Sequence, residues 1–283
     1  MRIGFVGLGN MGGPMAGHAV ASGHDVTVYD TQHDRIEPLV AAGARGASSP
    51  ADAAREAELV SVVVLDDAQV LDVTLGTGAV IDALEPGAVI AIHSTVTRDC
   101  LRTVDSAASA RGVRVLDAGI SGGVPGATAG TLLVIAGGPD ATLDAARPGI
   151  EPWSSEIVHV GPFGSGMAAK IARNYIQYAS WGAVHEGQAL AQAAGVDLAT
   201  FAHIVRSTNA IRATELTLDR PDATIRPVDE LGDSGRALAA AAALGLKDLA
   251  VAEALADELG VPLPGLPGAK HGFPGSLGVE SDA

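Results

Sequence analysis

Short apolar runs rich in β-branched residues alternate with helical patterns up to about residue 160. The predicted strands are Arg2–Val6, Asp25–Tyr29, Leu59–Leu65, Ala88–Ile92, Val113–Leu116 and Leu132–Ala136. The helical patterns between them include Asp34–Ala42, Ala51–Ala57 and Arg98–Arg111. Strands that alternate with helices in this way predict a parallel sheet with helices on both of its faces.

The pattern changes to purely helical periodicity beyond about residue 164. Ser165–Ala194 contains no proline and is rich in alanine, so it predicts a helix about 45 Å long that bridges two lobes. Further helices are predicted at Asp197–Ser207, Gly235–Ala243 and Leu246–Leu259. The polar segment Asp219–Asp233 is predicted to be a loop, and the Pro- and Gly-rich tail from Val261 is predicted to lack a clear helix.

Composition and charge narrow the classes of partner. The chain of 283 residues has a formal net charge of -15 and a sequence pI of about 4.8, so it repels phosphate backbones and we expect no nucleic-acid partner. The single cysteine, Cys100, leaves no intrachain disulfide and fits a reducing compartment. We find no apolar run of about 20 residues and no basic leader, so we expect a cytoplasmic protein without a membrane span.

A glycine pattern, G-L-G-N-M-G, follows the first predicted strand and precedes a helical pattern. In a dinucleotide-binding loop of this kind, Gly7 permits the tight turn, Gly9 lets a pyrophosphate approach the backbone, and Gly12 lets helix and strand pack closely. The N–H groups at the start of the helix then face the phosphates and supply the local positive site that an acidic chain needs. The predicted cofactor contacts here are Gly7, Leu8, Gly9, Asn10, Met11 and Gly12. A glycine-rich turn without a ligand is the alternative.

These patterns together predict a fold and a domain division. We expect an α/β domain with a Rossmann-type parallel sheet, residues 1–163, that binds a dinucleotide. An all-α domain, residues 164–283, should follow it, and the two should be joined by the long helix at about 165–194.

Asp30 stands at the end of the second predicted strand. A carboxylate there accepts hydrogen bonds from the hydroxyls of the adenosine ribose and repels a 2′-phosphate, so it favours NAD over NADP. Arg35 lies nearby in the sequence and could tolerate the phosphate. The alternative role for Asp30 is that of a helix N-cap or a turn residue.

Four further stretches occur in a recognisable order along the chain. They are SVVVLDD (Ser61–Asp67), HSTVTRD (His93–Asp99), DAGISGGVPGATAGTL (Asp117–Leu132) and GSGMAAKIARN (Gly164–Asn174). Together with the glycine loop they resemble the β-hydroxyacid dehydrogenase family, which includes 3-hydroxyisobutyrate dehydrogenases and tartronate semialdehyde reductases. The resemblance covers roughly residues 1–200 and resumes at Leu244–Pro264.

The resemblance implies that Lys170 is the catalytic lysine. Oxidation of an alcohol by NAD requires a proton acceptor, and a lysine serves if burial or a neighbouring cation lowers its pKa. Asn174 lies four residues further on, on the same helix face, and matches the family asparagine that binds substrate and orients the lysine. A surface lysine that extends its stem towards water and a solvent-exposed asparagine remain the alternatives.

The resemblance also implies a substrate-binding loop. Ser121, Gly122 and Gly123 match it, and a hydroxyl beside closely spaced N–H groups forms a small anion site suited to a carboxylate. The alternative for these three residues is a plain β-turn, because serine and glycine are common turn formers.

Four residues match family positions beside the cofactor. Thr95 corresponds to a position near the nicotinamide ribose, and Val64 and Leu65 correspond to the loop beside the adenosine half. Lys247 resembles a family lysine that reaches over the cofactor from the helical domain. The alternatives are a helix N-cap for Thr95, core packing for Val64 and Leu65, and a position at a helix start for Lys247.

Three positions depart from the family pattern. Arg173 replaces the first of two asparagines, and could bind a second carboxylate or a phosphate, lower the pKa of Lys170, or face solvent or another subunit. Gly119 stands where proline is usual, and His93 stands where an acid is common. These departures indicate a divergent substrate pocket.

The sequence therefore predicts an NAD-dependent oxidoreductase that acts on a β-hydroxyacid, with a small anionic substrate and a homodimeric or larger homo-oligomeric assembly. An imine reductase-like NADP enzyme of the same fold is one alternative, and a dinucleotide-binding module without catalysis is the other. The eight histidines show no metal-site spacing and Cys100 has no catalytic partner in the sequence, so we expect no metal.

Overall fold

The computed structural model describes residues 1–208, 230, 232–277 and 279. The chain divides into two compact units, Met1–Tyr175 and Ile176–Ala283. The first unit is an α/β domain and the described part of the second is helical, as predicted.

The first unit is built on an eight-stranded sheet. Its strands are β1 (Arg2–Val6), β2 (Asp25–Tyr29), β3 (Arg45–Gly46), β4 (Leu59–Val62), β5 (Val89–Ile92), β6 (Arg114–Ser121), β7 (Leu132–Gly137) and β8 (Ser154–His159). They lie in the order β3-β2-β1-β4-β5-β6-β7-β8. Neighbouring strands are parallel except for β6 and β7, which are antiparallel.

Helices cover both faces of this sheet. They are α1 (Gly12–Ala21), α2 (Glu37–Ala41), α3 (Pro50–Ala54), α4 (Asp67–Leu75), α5 (Val80–Ala83), α6 (Arg98–Ser109), α7 (Gly123–Ala129) and α8 (Asp140–Ile150). Along β5, Val89 and Ala91 belong to one apolar core cluster, whereas Ile90 and Ile92 belong to another. Because successive side chains of a strand point to opposite faces, the sheet is buried on both sides, which explains its uninterrupted apolar strands.

The remaining helices begin at α9 (Ser165–Ala193), which starts in the first unit and continues into the second. They continue with α10 (Leu198–Ser207), α11 (Gly232–Leu259) and α12 (Leu266–Ser276). Within the second unit, the Glu186 carboxylate accepts a hydrogen bond of 2.9 Å from the Gly265 N–H, just before α12.

The predicted Rossmann-type parallel sheet is confirmed, and it contains one antiparallel pair, β6 and β7, near one of its edges. Only the short stretch of residues 122–131, which includes α7, connects β6 to β7. A parallel return needs a crossover of roughly a dozen residues or more, so this short connection brings β7 back in the antiparallel direction. The sequence also missed β3, which has two residues, and β8, whose SSEIVH sequence is polar and lies at the sheet edge.

Two predictions for the C-terminal region are also wrong. Gly235–Ala243 and Leu246–Leu259 form the single helix α11, in which a Cβ added at Gly245 would lie 2.2 Å from the Phe273 ring. The glycine therefore permits a close contact with α12 rather than a break between helices. The tail does form a helix, α12, in spite of its prolines: one lies in the first turn, where proline is tolerated, and Pro274 lies near the end of the helix.

The predicted loop at Asp219–Asp233 falls mostly outside the described residues, since residues 219–229 and 231 are not described. Its last two residues, Gly232 and Asp233, form the start of α11 rather than loop. Nothing further about that prediction is tested.

A carboxylate ties the start of α9 to the sheet. Asp117, fully buried on β6, accepts hydrogen bonds of 2.7 Å from the N–H groups of both Gly164 and Met167. A Cβ added at Gly166 would lie 2.5 Å from the backbone nitrogen of Gly137 on β7, so helix and sheet are in close contact here. Burial raises the pKa of Asp117 even though these N–H groups oppose the shift.

A buried histidine joins three strands at the centre of the sheet. His93 Nδ1 lies 2.8 Å from the Ala118 carbonyl oxygen and Nε2 lies 3.2 Å from the Ser61 hydroxyl. The ring meets Trp153 edge to face with 5.2 Å between the ring centroids. Burial lowers the pKa of His93 to about 4, so the folded protein keeps this ring neutral in mildly acidic solution.

We expect His93 to make the protein less stable as the pH falls below 6.5. The unfolded chain takes up this proton near pH 6.5, whereas the folded chain does so only near pH 4. The free energy of unfolding should therefore fall by up to about 1.4 kcal/mol per pH unit across that window. Denaturant titrations at several pH values should show a flatter slope for His93→Gln, and an unchanged slope would contradict this role.

Removal of the Asp117 carboxylate should cost more stability than removal of an exposed one. Asp117→Ala leaves the buried N–H group of Met167 and the half-buried one of Gly164 without acceptors, and we expect the free energy of unfolding to fall by about 2–4 kcal/mol. Asp99→Ala is the matched control, because the Asp99 side chain is 90% exposed and only pairs with Arg102. Chemical denaturation of both variants measures the difference, and equal losses would show that Asp117 does not anchor α9.

Candidate active site

The glycine loop adopts a conformation that side chains would block. Gly7 has φ of +94°, and an added Cβ there would lie 2.3 Å from the Val63 carbonyl oxygen. A Cβ at Gly12 would lie 2.0 Å from the Gly7 carbonyl oxygen. At Gly9, by contrast, a Cβ would meet only the Arg35 guanidinium at 3.9 Å, so this backbone is open to a ligand.

A cleft of about 570 Å³ opens at the carboxyl ends of β1, β2 and β4. This is the point where the strand order reverses, since β2 and β4 flank β1, and such a point is where open α/β sheets bind ligands. The predicted cofactor residues that line the cleft are Gly7, Gly9, Asn10, Met11, Gly12, Asp30, Val64 and Leu65. Among the described residues, no protein acceptor takes the N–H groups of Asn10 or Met11, which suits an anionic ligand.

Asp30 is buried in this cleft and holds the loop in place. One carboxylate oxygen accepts a hydrogen bond of 2.7 Å from the Leu8 N–H, and the other accepts one of 2.9 Å from the Gln32 N–H. The Arg35 guanidinium lies 3.5 Å from the same carboxylate. Asp30 is thus a turn residue that also lines the cleft, and its negative charge there is partly balanced by Arg35.

Two predicted cofactor residues, Leu8 and Thr95, do not line the cleft, and a third cannot be compared with it. Leu8 belongs to the apolar core, and only its backbone N–H contributes through Asp30. Thr95 is exposed and does not cap α6, because Thr97 is the N-cap and accepts a hydrogen bond from the Cys100 N–H at 3.2 Å. Lys247 lies in α11, and its side chain is outside the described part of the structure.

Lys170 is a buried cation on the second turn of α9. It is only 8% exposed, and among the described residues no hydrogen-bond acceptor or carboxylate pairs with its ammonium group. Burial, and secondarily the charge of Arg173, lowers the pKa of Lys170. Lys170 is therefore not an exposed residue of the helix surface, but its Nζ atom keeps some contact with solvent, so the alternative of a stem that extends towards water stays open.

Arg173 and Asn174 lie one turn further along α9. The Arg173 guanidinium donates a hydrogen bond of 3.3 Å to the Asn174 side-chain oxygen. That bond occupies the acceptor of the amide and leaves its N–H₂ donor for another group. Asn174 is half-buried, so it is not the fully exposed helical asparagine of the alternative interpretation.

Ser121, Gly122 and Gly123 mark the end of β6 and the start of α7, not a plain β-turn. Gly122 has φ of +130° and Gly123 has φ of +62°, so both need the conformational freedom of glycine. Both glycines are exposed and Ser121 is half-buried, which leaves their polar groups accessible.

The sequence interpretation assigned no role to Asp117, although it lies within a quoted motif. A signal was present, since Asp117 is a carboxylate inside the otherwise apolar run VLDAGI. Gln69 and Asp72 of α4 also line the cleft without having been predicted. They lie just after the helix start at Asp66, whose carboxylate accepts a hydrogen bond of 2.9 Å from the Gln69 N–H.

The described residues contain neither a candidate metal site nor a candidate membrane-spanning helix. No group of three or more His, Cys, Asp or Glu side chains in that part of the chain is placed to hold a metal ion. None of its helices is long and apolar enough to cross a membrane.

Comparison with known proteins gives two family matches and several relatives. The family described as the NAD binding domain of 6-phosphogluconate dehydrogenase matches residues 2–161. The family described as the NAD-binding of NADP-dependent 3-hydroxyisobutyrate dehydrogenase matches residues 164–273. An NAD-dependent L-serine dehydrogenase of Pseudomonas aeruginosa is 35% identical over 208 residues, which are 74% of this chain and 70% of that one.

Solved structures agree with these matches. A putative oxidoreductase from Mycobacterium avium has a TM-score of 0.85 and 34% identity, and the match covers 99% of each chain. An imine reductase from Myxococcus stipitatus with NADP+ has a TM-score of 0.79 over 95% of this chain and 92% of that one, but its 18% identity shows the fold alone. The glycine loop, the order of the motifs and these relatives all agree, and the chain belongs to the β-hydroxyacid dehydrogenase family of NAD(P)-dependent oxidoreductases.

Proposed function

We propose that the protein is an NAD-dependent dehydrogenase that oxidises the hydroxyl group of a small β-hydroxyacid. The observation that carries this proposal is Lys170, a lysine that is only 8% exposed, has no carboxylate partner in the described residues, and has a pKa lowered by burial. Keeping an unpaired cation buried is costly, and such perturbed groups are concentrated at functional sites. Family membership supports the reaction class.

The cleft at β1, β2 and β4 fits a dinucleotide. The open backbone at Gly9 and the unpaired N–H groups of Asn10 and Met11 would hold the pyrophosphate. Asp30 would face the adenosine ribose, and Val64 and Leu65 would flank the adenosine half. When bound, the nicotinamide supplies the hydride acceptor.

Lys170 acts as the general base for oxidation and as the general acid for reduction. Its neutral amine takes the proton from the substrate hydroxyl, and the lowered pKa makes that form available closer to neutral pH. Asn174 presents its N–H₂ donor to the substrate, because its oxygen is engaged by Arg173. Ser121, Gly122 and Gly123 bind the substrate carboxylate.

We extend the proposal to substrate charge and to assembly. Arg173 adds a positive charge one turn from Lys170, which favours a small anionic substrate. Exposed aliphatic side chains in the second unit, such as Ile176, Val184 and Ile204, support a homodimer.

The proposal is tested by the absorbance of reduced nicotinamide in a panel of β-hydroxyacids that includes 3-hydroxyisobutyrate and L-serine. We expect reduction of NAD with at least one of them. Cofactor binding without turnover of any hydroxyacid would instead support a non-catalytic dinucleotide-binding module.

Replacement of Lys170 should abolish the acid/base step but not cofactor binding. We expect Lys170→Met to lower kcat by about 100- to 10,000-fold, which is the usual contribution of general acid/base catalysis. NADH affinity, measured by fluorescence titration, should be unchanged. Lys270→Met is the matched control, because Lys270 pairs with Glu253 at 2.7 Å, and it should keep the wild-type rate. Full activity of Lys170→Met would refute the assignment.

Arg35 should govern how well NADP is tolerated. The wild type should prefer NAD because of Asp30, and Arg35→Ala should reduce kcat/KM for NADP by about tenfold or more, since a charge-assisted hydrogen bond is lost. The value for NAD should change little. Arg102→Ala, an exposed arginine on α6, is the control. A wild-type preference for NADP would overturn the role given to Asp30.

A further inference from the structure

One face of β6 carries two polar residues with a glycine between them. Asp117, Gly119 and Ser121 are alternate residues of the strand, so they share the face that also bears Val115. Val115 packs in the same apolar cluster as Met167 of α9. Neighbouring positions on this face are about 6.6 Å apart, because a strand rises about 3.3 Å per residue.

The start of α9 lies along this face. Asp117 binds the N–H groups of Gly164 and Met167 at 2.7 Å. Two positions further along the strand, a Cβ added at Gly119 would lie 2.9 Å from both Cβ and Cγ of Lys170. The aliphatic stem of Lys170 therefore rests directly on the backbone of β6 at Gly119.

Glycine inside a strand costs stability and often marks a bulge, a tight bend or the close approach of another group. Gly119 has no positive φ that would require glycine for the backbone itself. Lys170 is the group that approaches Gly119 closely. The absence of a side chain at Gly119 therefore leaves room for the stem of the lysine. Ser121, the proposed carboxylate contact, is the next residue on the same face.

We infer that Gly119 is a positioning residue that seats the stem of Lys170 against β6 and thereby sets how deeply its ammonium group is buried. The distance between the Lys170 stem and Ser121 is then fixed by the repeat of the strand. The placement of Lys170 follows from the contacts alone, whereas its consequence for catalysis rests on the proposed function.

Because the chain has few lysines, the environment of the Lys170 ammonium group can be measured directly by NMR. The chain contains three lysines, Lys170, Lys247 and Lys270, so reductive ¹³C-methylation labels these side chains and the N-terminal amine only. The Lys170 signal is assigned by its absence in Lys170→Arg. Titration followed by NMR then gives the pKa of Lys170 in the wild type, in Gly119→Ala and in Gly17→Ala.

We expect Gly119→Ala to raise the pKa of Lys170 by about half a unit or more, because a displaced stem brings the ammonium group closer to water. Gly17→Ala is the matched control, since a Cβ there would make an ordinary contact of 3.7 Å with Leu39. The pH profile of kcat for β-hydroxyacid oxidation should shift in the same direction for Gly119→Ala only. An unchanged pKa and an unchanged profile would overturn the inference.

A second measurement separates the contact from any general effect on folding. Gly119→Ala should lower the melting temperature in the wild-type background, and the loss should shrink in a Lys170→Gly background, where both contacting atoms, Cβ and Cγ, are absent. Equal losses in both backgrounds would overturn the inference even if Gly119→Ala were too unstable for NMR. If the wild type turned over no β-hydroxyacid while the pKa shift and the thermal coupling held, the proposed function would fail and the positioning role would stand.

Discussion

The hydrogen bonds from the N–H groups of Gly164 and Met167 to the Asp117 carboxylate fix the start of α9 on the sheet, and the geometry of the candidate site depends on them. A helix start has several N–H groups without helical partners, and here a strand supplies the acceptor from 47 and 50 residues away in the sequence. Gly166 and Gly137 let the two backbones approach closely at the same point. The positions of the residues in the first turns of α9, including Lys170, are therefore fixed relative to β6.

Lys170 is the principal consequence of that placement. Its position on α9 and the bare backbone at Gly119 bury a cation that the rest of the first unit does not neutralise. The same acidic chain supplies carboxylates to arginines elsewhere, as in the pairs Arg45–Asp52 and Arg111–Asp82, but none to this lysine within the described residues. The first unit thus contains two separate features, namely the cleft at the carboxyl ends of β1, β2 and β4 and the buried Lys170 of α9, whose stem lies against β6.

The elements that depend on local sequence patterns were predicted correctly from the sequence. The strands β1 and β2, the glycine loop between β1 and α1, and the approximate extent of α9 all follow from periodicity and turn chemistry. The sequence could not predict what depends on contacts between distant segments. The antiparallel return of β7 and the edge strand β8 are of this kind, as is the continuity of α11 through Gly245. The isolated carboxylate of Asp117 in an apolar run was a local signal, but its partners at the start of α9 lie 47 and 50 residues away and could be identified only from the fold. Gly119 was noticed as a departure, but its contact with Lys170 required the fold.

The most direct test of the central claim is a crystal structure of the protein with NADH and a β-hydroxyacid on which it is active. We expect the Lys170 Nζ atom to lie within about 3.2 Å of the substrate hydroxyl oxygen, which is the reach required of a general base. We also expect the substrate carboxylate to contact Ser121, Gly122 and Gly123, while the stem of Lys170 still rests on Gly119. A complex in which Lys170 points away from the hydroxyl, or in which another side chain contacts that oxygen instead, would show that Lys170 is not the general base.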